Sequence, residues 1–159
     1  MSRSGADLAL LLLGGFRALV DAATVELAQR GYGDVRPVHD FAMRAIASGA
    51  DSASELGRRL SVTKQSAAKT IALLEARGYV ARESDPADAR RKRLQVTPLG
   101  FEVMREGEAI FDKLRKQWEQ RIGAAELATF EAHLTDLVGA QPVRFDTAGW
   151  ISRSLGEST

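Results

Sequence analysis

The sequence predicts a mainly α-helical fold with one small β-hairpin: a winged helix-turn-helix carried by terminal helices that form a dimerisation domain. Three observations predict it. Apolar residues recur at three- and four-residue spacing through most of the chain, in runs separated by capping residues. Between 53 and 74 two such runs are joined by a turn of a few residues, the second with a polar outer face. Between 79 and 96 the pattern changes to two-residue alternation around the turn signal Asp85-Pro86-Ala87-Asp88.

The elements follow in order. Asp7 to Arg30 reads as a helix, with Leu8, Leu11, Leu12, Phe16, Leu19, Val20, Ala23 and Leu27 on one wide stripe. A terminal helix this apolar packs on more than one neighbour, often across a subunit interface. Gly31-Tyr32-Gly33-Asp34 breaks it, and Pro37 opens a second helix to about Ala47 at the position where its missing N–H is not needed. Ser52 and Glu55 have the spacing of a capping box and open a short helix from Ala53 to Leu60. Ser61-Val62 is a turn, and Thr63 caps the next helix, Lys64 to Ala76, with Ala67, Ile71 and Leu74 inward. Gly78 stands where a residue of positive φ is wanted. Tyr79–Glu83 and Lys92–Val96 are two short strands, with Leu94 and Val96 on one face and Arg93 and Gln95 on the other. Thr97-Pro98 starts a long helix to about Arg121 whose stripe reads Phe101, Met104, Glu108, Phe111, Leu114 and Trp118. After Gly123 a last helix runs from Ala124 to Leu137. The chain thus divides into a first dimerisation helix (1–34), a winged helix-turn-helix (35–97), further dimerisation helices (98–138) and a tail (139–159) with Phe145, Trp150, Ile151 and Leu155, expected to dock on the partner subunit or on its own dimerisation helices.

Charge and chemistry narrow the function. The net charge is +1, but the stretch from Arg58 to Thr97 carries +6 and the remainder −5. A basic centre on an acidic scaffold suits a polyanion. There is no cysteine, hence no disulfide, thiolate nucleophile or thiol redox sensor. Two distant histidines, His39 and His133, do not suggest a metal site, and no carboxylate pair stands out. The expectation is no enzyme, no cofactor and no metal. The longest uncharged apolar stretch, Leu8 to Phe16, is shorter than the ~20 residues that span a bilayer. A cytoplasmic protein with no membrane partner is expected.

The functional constellation lies at 53–93. Two helices crossing steeply through a short turn need a small residue at the crossing, and Gly57 is there. The outward face of the second helix offers Thr63, Lys64, Gln65, Ser66 and Lys69, with Ser61 in the turn before it. Short hydrogen-bonding groups and cations suit phosphates and base edges. In the hairpin Arg90, Arg91 and Lys92 are placed to reach phosphates or a narrow minor groove.

Leu-Glu-Ala-Arg-Gly-Tyr-Val at 74–80, Asp-Pro-Ala-Asp-Ala-Arg-Arg-Lys at 85–92 and Val-Thr-Pro-Leu-Gly at 96–100 resemble the MarR family of bacterial transcriptional regulators. The resemblance covers roughly Asp7 to Leu137. It implies a homodimer on double-stranded DNA with a pseudo-palindromic site, a recognition helix in the major groove, and a wing arginine, here Arg90, in the minor groove. It implies that Asp88 pairs with Arg77 and braces the wing. Ala89 departs from the Arg or Lys often found there. The family further implies a small aromatic or anionic ligand that releases DNA, in a pocket that would here involve Phe16, Arg17, Val20, His39, Met43 and Phe111. A dimeric repressor relieved by a ligand is the function this points to. An activator, or a winged-helix protein–protein adaptor that does not bind DNA, are the alternatives.

Overall fold

The computed structural model describes residues 3–139. Six helices and one hairpin follow each other as α1 (Gly5–Gln29), α2 (Pro37–Ala47), α3 (Ala53–Leu60), α4 (Lys64–Ala76), β1 (Val80–Asp85), β2 (Asp88–Val96), α5 (Pro98–Ile122) and α6 (Ala124–Val138). The tail expected from 139 onward lies, from residue 140, outside the described residues, with Phe145, Trp150, Ile151 and Leu155.

Local chemistry starts each helix. The Ser4 hydroxyl and Asp7 carboxylate form a reciprocal capping box on α1. Ser52 Oγ accepts from Glu55 N at 3.2 Å, so half of the expected box forms. Glu55 instead turns its carboxylate to Arg58 and Arg59, at 2.8 Å each. These two guanidiniums hold the Glu55 carboxyl down to about 2. Thr63 Oγ1 caps α4 by accepting from Ser66 N at 3.0 Å, and Thr97 Oγ1 caps α5 by accepting from Gly100 N at 3.1 Å.

The core gathers Leu27, Met43, Ile46, Leu56, Ile71, Leu74, Leu94, Val103 and Ile110, so α2, α3, α4 and the hairpin share one interior with α1 and α5. The buried stripe of α5 is Gly100, Val103, Gly107, Ile110 and Leu114. This corrects the expected phase: Phe101 is exposed, and Phe111 and Trp118 are only partly buried. Small residues set the contact because the backbone of α5 comes close to its neighbours. A Cβ on Gly100 would stand 2.1 Å from the carbonyl oxygen of Tyr79, and one on Gly107 3.4 Å from the Asp40 carboxylate.

By length and composition α1 is apolar enough to cross a membrane, which a count of its charge-free stretch misses. Its second half is built into the fold: Val20, Ala23 and Leu27 are buried. Glu26 pairs with Lys113 and Arg30 with Glu106, each at 2.6 Å, tying α1 to α5. Its first half leaves Leu8, Leu10, Leu11 and Leu12 exposed.

Candidate nucleic-acid interface

The helix-turn-helix is tight at its crossing. A Cβ on Gly57 would meet the carbonyl oxygens of Val62 at 3.0 Å and Thr63 at 3.3 Å. Ser61 closes α3 in the left-handed region, at φ 55°. The turn therefore sets the start of α4 against α3, with Leu56, Ala67 and Ile71 fully buried between them. Thr63, Lys64, Gln65 and Lys69 are exposed, while Ser61 and Ser66 are half-buried. Among the described residues Lys64 and Lys69 have no carboxylate partner.

The wing is longer than the sequence pattern suggests. Its strands pair antiparallel from Val80↔Val96 to Ser84↔Lys92, then jump to Asp85↔Asp88 across a two-residue turn, Pro86-Ala87. Ala89, Arg90 and Arg91 are the extra residues on β2 and form a bulge, which re-aims side chains and bends the strand. Asp85 anchors the tip. It is 5% exposed, its Oδ1 accepts from Ala87 N at 2.9 Å, and its Oδ2 takes Arg93 Nε at 3.0 Å. At the base, Thr97 Oγ1 donates to the Gly78 carbonyl at 2.6 Å, and Arg82 pairs with Glu75 of α4 at 2.8 Å. The hairpin is thus fixed to α4 at its root.

The structure corrects the expected brace. Arg77 Nη1 lies 2.7 Å from Asp34 Oδ2, in the α1–α2 loop. Asp88 Oδ1 instead accepts the backbone N–H of Arg90 at 3.0 Å, a local Asx turn that costs no long-range closure. Arg91, expected at the DNA, pairs with Asp51 of the α2–α3 loop at 2.9 Å. Arg90 and Lys92 are exposed and have no ionic partner among the described residues. Asp34, Asp51 and Asp85 are the residues sequence reasoning missed. Only Asp85 carried a signal, as the first residue of the turn.

The expected ligand residues separate. Val20, His39 and Met43 are buried in the core. His39 Nδ1 accepts from Arg36 N at 2.9 Å and so caps α2. Burial pushes its pKa down, and the charges of Arg36 and Arg77 push the same way. Arg17 is exposed. Phe16 and Phe111 line a groove of about 720 Å³ between α1, α5 and α6, together with Leu11, Trp118 and Phe130. Its rim carries Arg115 and Glu131, joined by two hydrogen bonds of 2.6 and 2.7 Å.

Residues 41–91, from α2 into the wing, match the model of the MarR family. This stretch is similar to the MarR family, and the fold it sits in is a winged helix-turn-helix. Solved structures share the architecture over most of the chain. The Mycobacterium tuberculosis MarR family protein Rv2887, in complex with salicylic acid, is 24% identical, with a TM-score of 0.66 over 82% of this chain and 95% of that one. Streptococcus pneumoniae FabT, in complex with DNA, is 20% identical, with a TM-score of 0.64 over 84% and 94%. The transcriptional regulator Tm0710 from Thermotoga maritima is 22% identical, with a TM-score of 0.62 over 83% and 92%. The chain carries the fold of the MarR-family transcriptional regulators.

Proposed function

We propose that the protein is a dimeric, sequence-specific DNA-binding transcriptional repressor that a small molecule releases from its operator. The observation that carries the reading is the set of exposed, uncommitted polar groups on two adjoining elements: Lys64, Gln65 and Lys69 on α4, and Arg90 and Lys92 on the wing. In this reading Gln65 and Ser66 read base edges in the major groove, Thr63, Lys64 and Lys69 hold phosphates, and Ser61 approaches the backbone at the turn. Arg90 lies in or beside the minor groove, where a guanidinium senses groove width more than base identity. FabT, a relative in fold, was solved with DNA, which supports the same use of this fold here.

The dimer part rests on the apolar surface. Leu8, Leu10, Leu11 and Leu12 of α1 and Phe130 and Leu137 of α6 are each more than 40% exposed, around an apolar groove. Contiguous apolar area of this kind marks an interaction face, and its burial stabilises by roughly 25 cal/mol per Å². A second copy meeting the same face would place two recognition helices on one duplex. The ligand part rests on the groove where Phe16 and Phe111 meet, with the exposed Arg17 nearby in sequence as a cation for an anionic aromatic molecule. Rv2887 holds salicylic acid, which is of that class.

Genomic footprinting with the purified protein tests the function. Protection of an inverted repeat overlapping a promoter, weakened by salicylic acid as a probe, is expected. Absence of protection at micromolar protein would overturn DNA binding. Protection upstream of a promoter, with transcript levels that fall when the protein is removed, would make it an activator instead.

A further inference from the structure

The wing carries four consecutive cations, Arg90, Arg91, Lys92 and Arg93, yet the structure treats alternate ones differently. Arg91 and Arg93 each meet a carboxylate, Asp51 at 2.9 Å and Asp85 at 3.0 Å. Arg90 and Lys92 meet none among the described residues. The Asp85–Arg93 pair lies within the hairpin and fixes its tip. The Asp51–Arg91 pair is of another kind. It crosses from the bulge at 89–91 to the residue immediately before Ser52, the cap of α3, so it joins the least regular part of the wing to the helix-turn-helix. Asp51 is 24% exposed on its side chain, and Arg91 60%.

We infer that Asp51 is a positioning residue for DNA binding: through Arg91 it holds the wing bulge against the helix-turn-helix, so that Arg90 and Lys92 present the wing's charge to the minor groove and the phosphates that flank it, and Arg91 does not. The inference rests on the DNA-binding reading above. A bulge of three unpaired residues has no ladder hydrogen bonds to orient it, and a guanidinium anchored at its last residue supplies the missing constraint. An exposed pair is weakly stabilising, so the consequence is in orientation more than in folding. Its expected size is correspondingly modest, about two- to five-fold in affinity.

The test titrates the full chain with an operator duplex at several salt concentrations. Replacing a cation that neutralises a phosphate lowers the slope of log K against log[salt] by about one. Arg90→Ala and Lys92→Ala are expected to lower it so, and Arg91→Ala to leave it unchanged. Asp51→Asn removes a negative charge, yet is expected to bind about two- to five-fold more weakly. The charge exchange Asp51→Arg with Arg91→Asp is expected to restore affinity and slope, since neither group meets DNA. Melting curves confirm that each variant is folded. In the free protein, amide hydrogen exchange at 89–91 is expected to quicken several-fold in Asp51→Asn. A lowered slope for Arg91→Ala, or unchanged or tighter binding by Asp51→Asn, overturns the inference. If the parent binds no duplex at all, the functional reading fails, and the exchange rates still decide whether the tether exists.

Discussion

At the scale of single residues, position in the fold decides which polar groups are free to act. His39 is buried and spends its Nδ1 lone pair on the Arg36 N–H. Its lowered pKa means that the folded state binds the proton less well than the unfolded chain. Stability is therefore unaffected above the unfolded value of about 6.5 and declines as pH falls below it. Asp40 acts in the opposite sense. Burial raises its pKa, and only partly do Arg44's hydrogen bond and charge offset this; Glu108 adds to the rise. Among the described residues its buried Oδ1 meets no hydrogen-bond partner. Comparing parent and variant isolates His39: His39→Gln keeps an acceptor for the cap and should lose less melting temperature between pH 7 and pH 5 than the parent loses. Identical pH profiles would show that folding leaves the proton affinity of His39 unchanged. On the DNA side, Gln65→Ala should cost roughly 1–3 kcal/mol on the operator and little on random duplex, as measured by competition titration. Lys69→Ala should weaken both and lower the salt slope by about one. Equal losses on both DNAs for Gln65→Ala would remove its reading role.

At the scale of elements, caps are local and were legible; contacts between elements were less so. Pro37, Ser52, Thr63 and Gly78 mark ends within a few residues of sequence, and α2, α3 and α4 start and stop where those residues place them. Hydropathy sets the face of α5 one position off the buried one because it favours large residues. Phe101, Met104, Phe111 and Trp118 outweigh Gly100 and Gly107, although the glycines make the closest approach. The hairpin is longer than its sequence pattern suggests because Ala89 to Lys92 lack the two-residue alternation of a strand. The resemblance pairs Arg77 with Asp88, and no local pattern points to its actual partner, Asp34, which lies in another loop far along the chain. The close approach at Gly100 gives a prediction. Gly100→Ala puts a methyl 2.1 Å from backbone that cannot rotate away, so α5 or β1 must shift. A loss of ~3 kcal/mol or more is expected in denaturant unfolding. A loss below about 1 kcal/mol would mean that the α5–wing junction is looser than this packing implies.

At the scale of the whole molecule, two surfaces stand without a partner among the described residues. One is apolar, on α1 and α6; the other is polar and basic, on α4 and the wing. The proposed dimer covers the first and sets the spacing of the second. Leu11→Asp, on the apolar face, should therefore shift the sedimentation mass toward the monomer and weaken operator binding together, because two half-sites bound by one rigid dimer gain from effective concentration. Loss of operator binding with the dimer intact would separate the two surfaces. In the proposed function this chain reads duplex DNA with paired recognition helices. The most direct measurement is selection of binding sites by the purified protein from a pool of randomised duplexes at ~0.1 M salt. Enrichment of an inverted repeat whose half-site centres lie about one helical turn, ~10 bp, apart is expected. A pool that emerges without enrichment, or a single unrepeated half-site bound by a monomer, would contradict it.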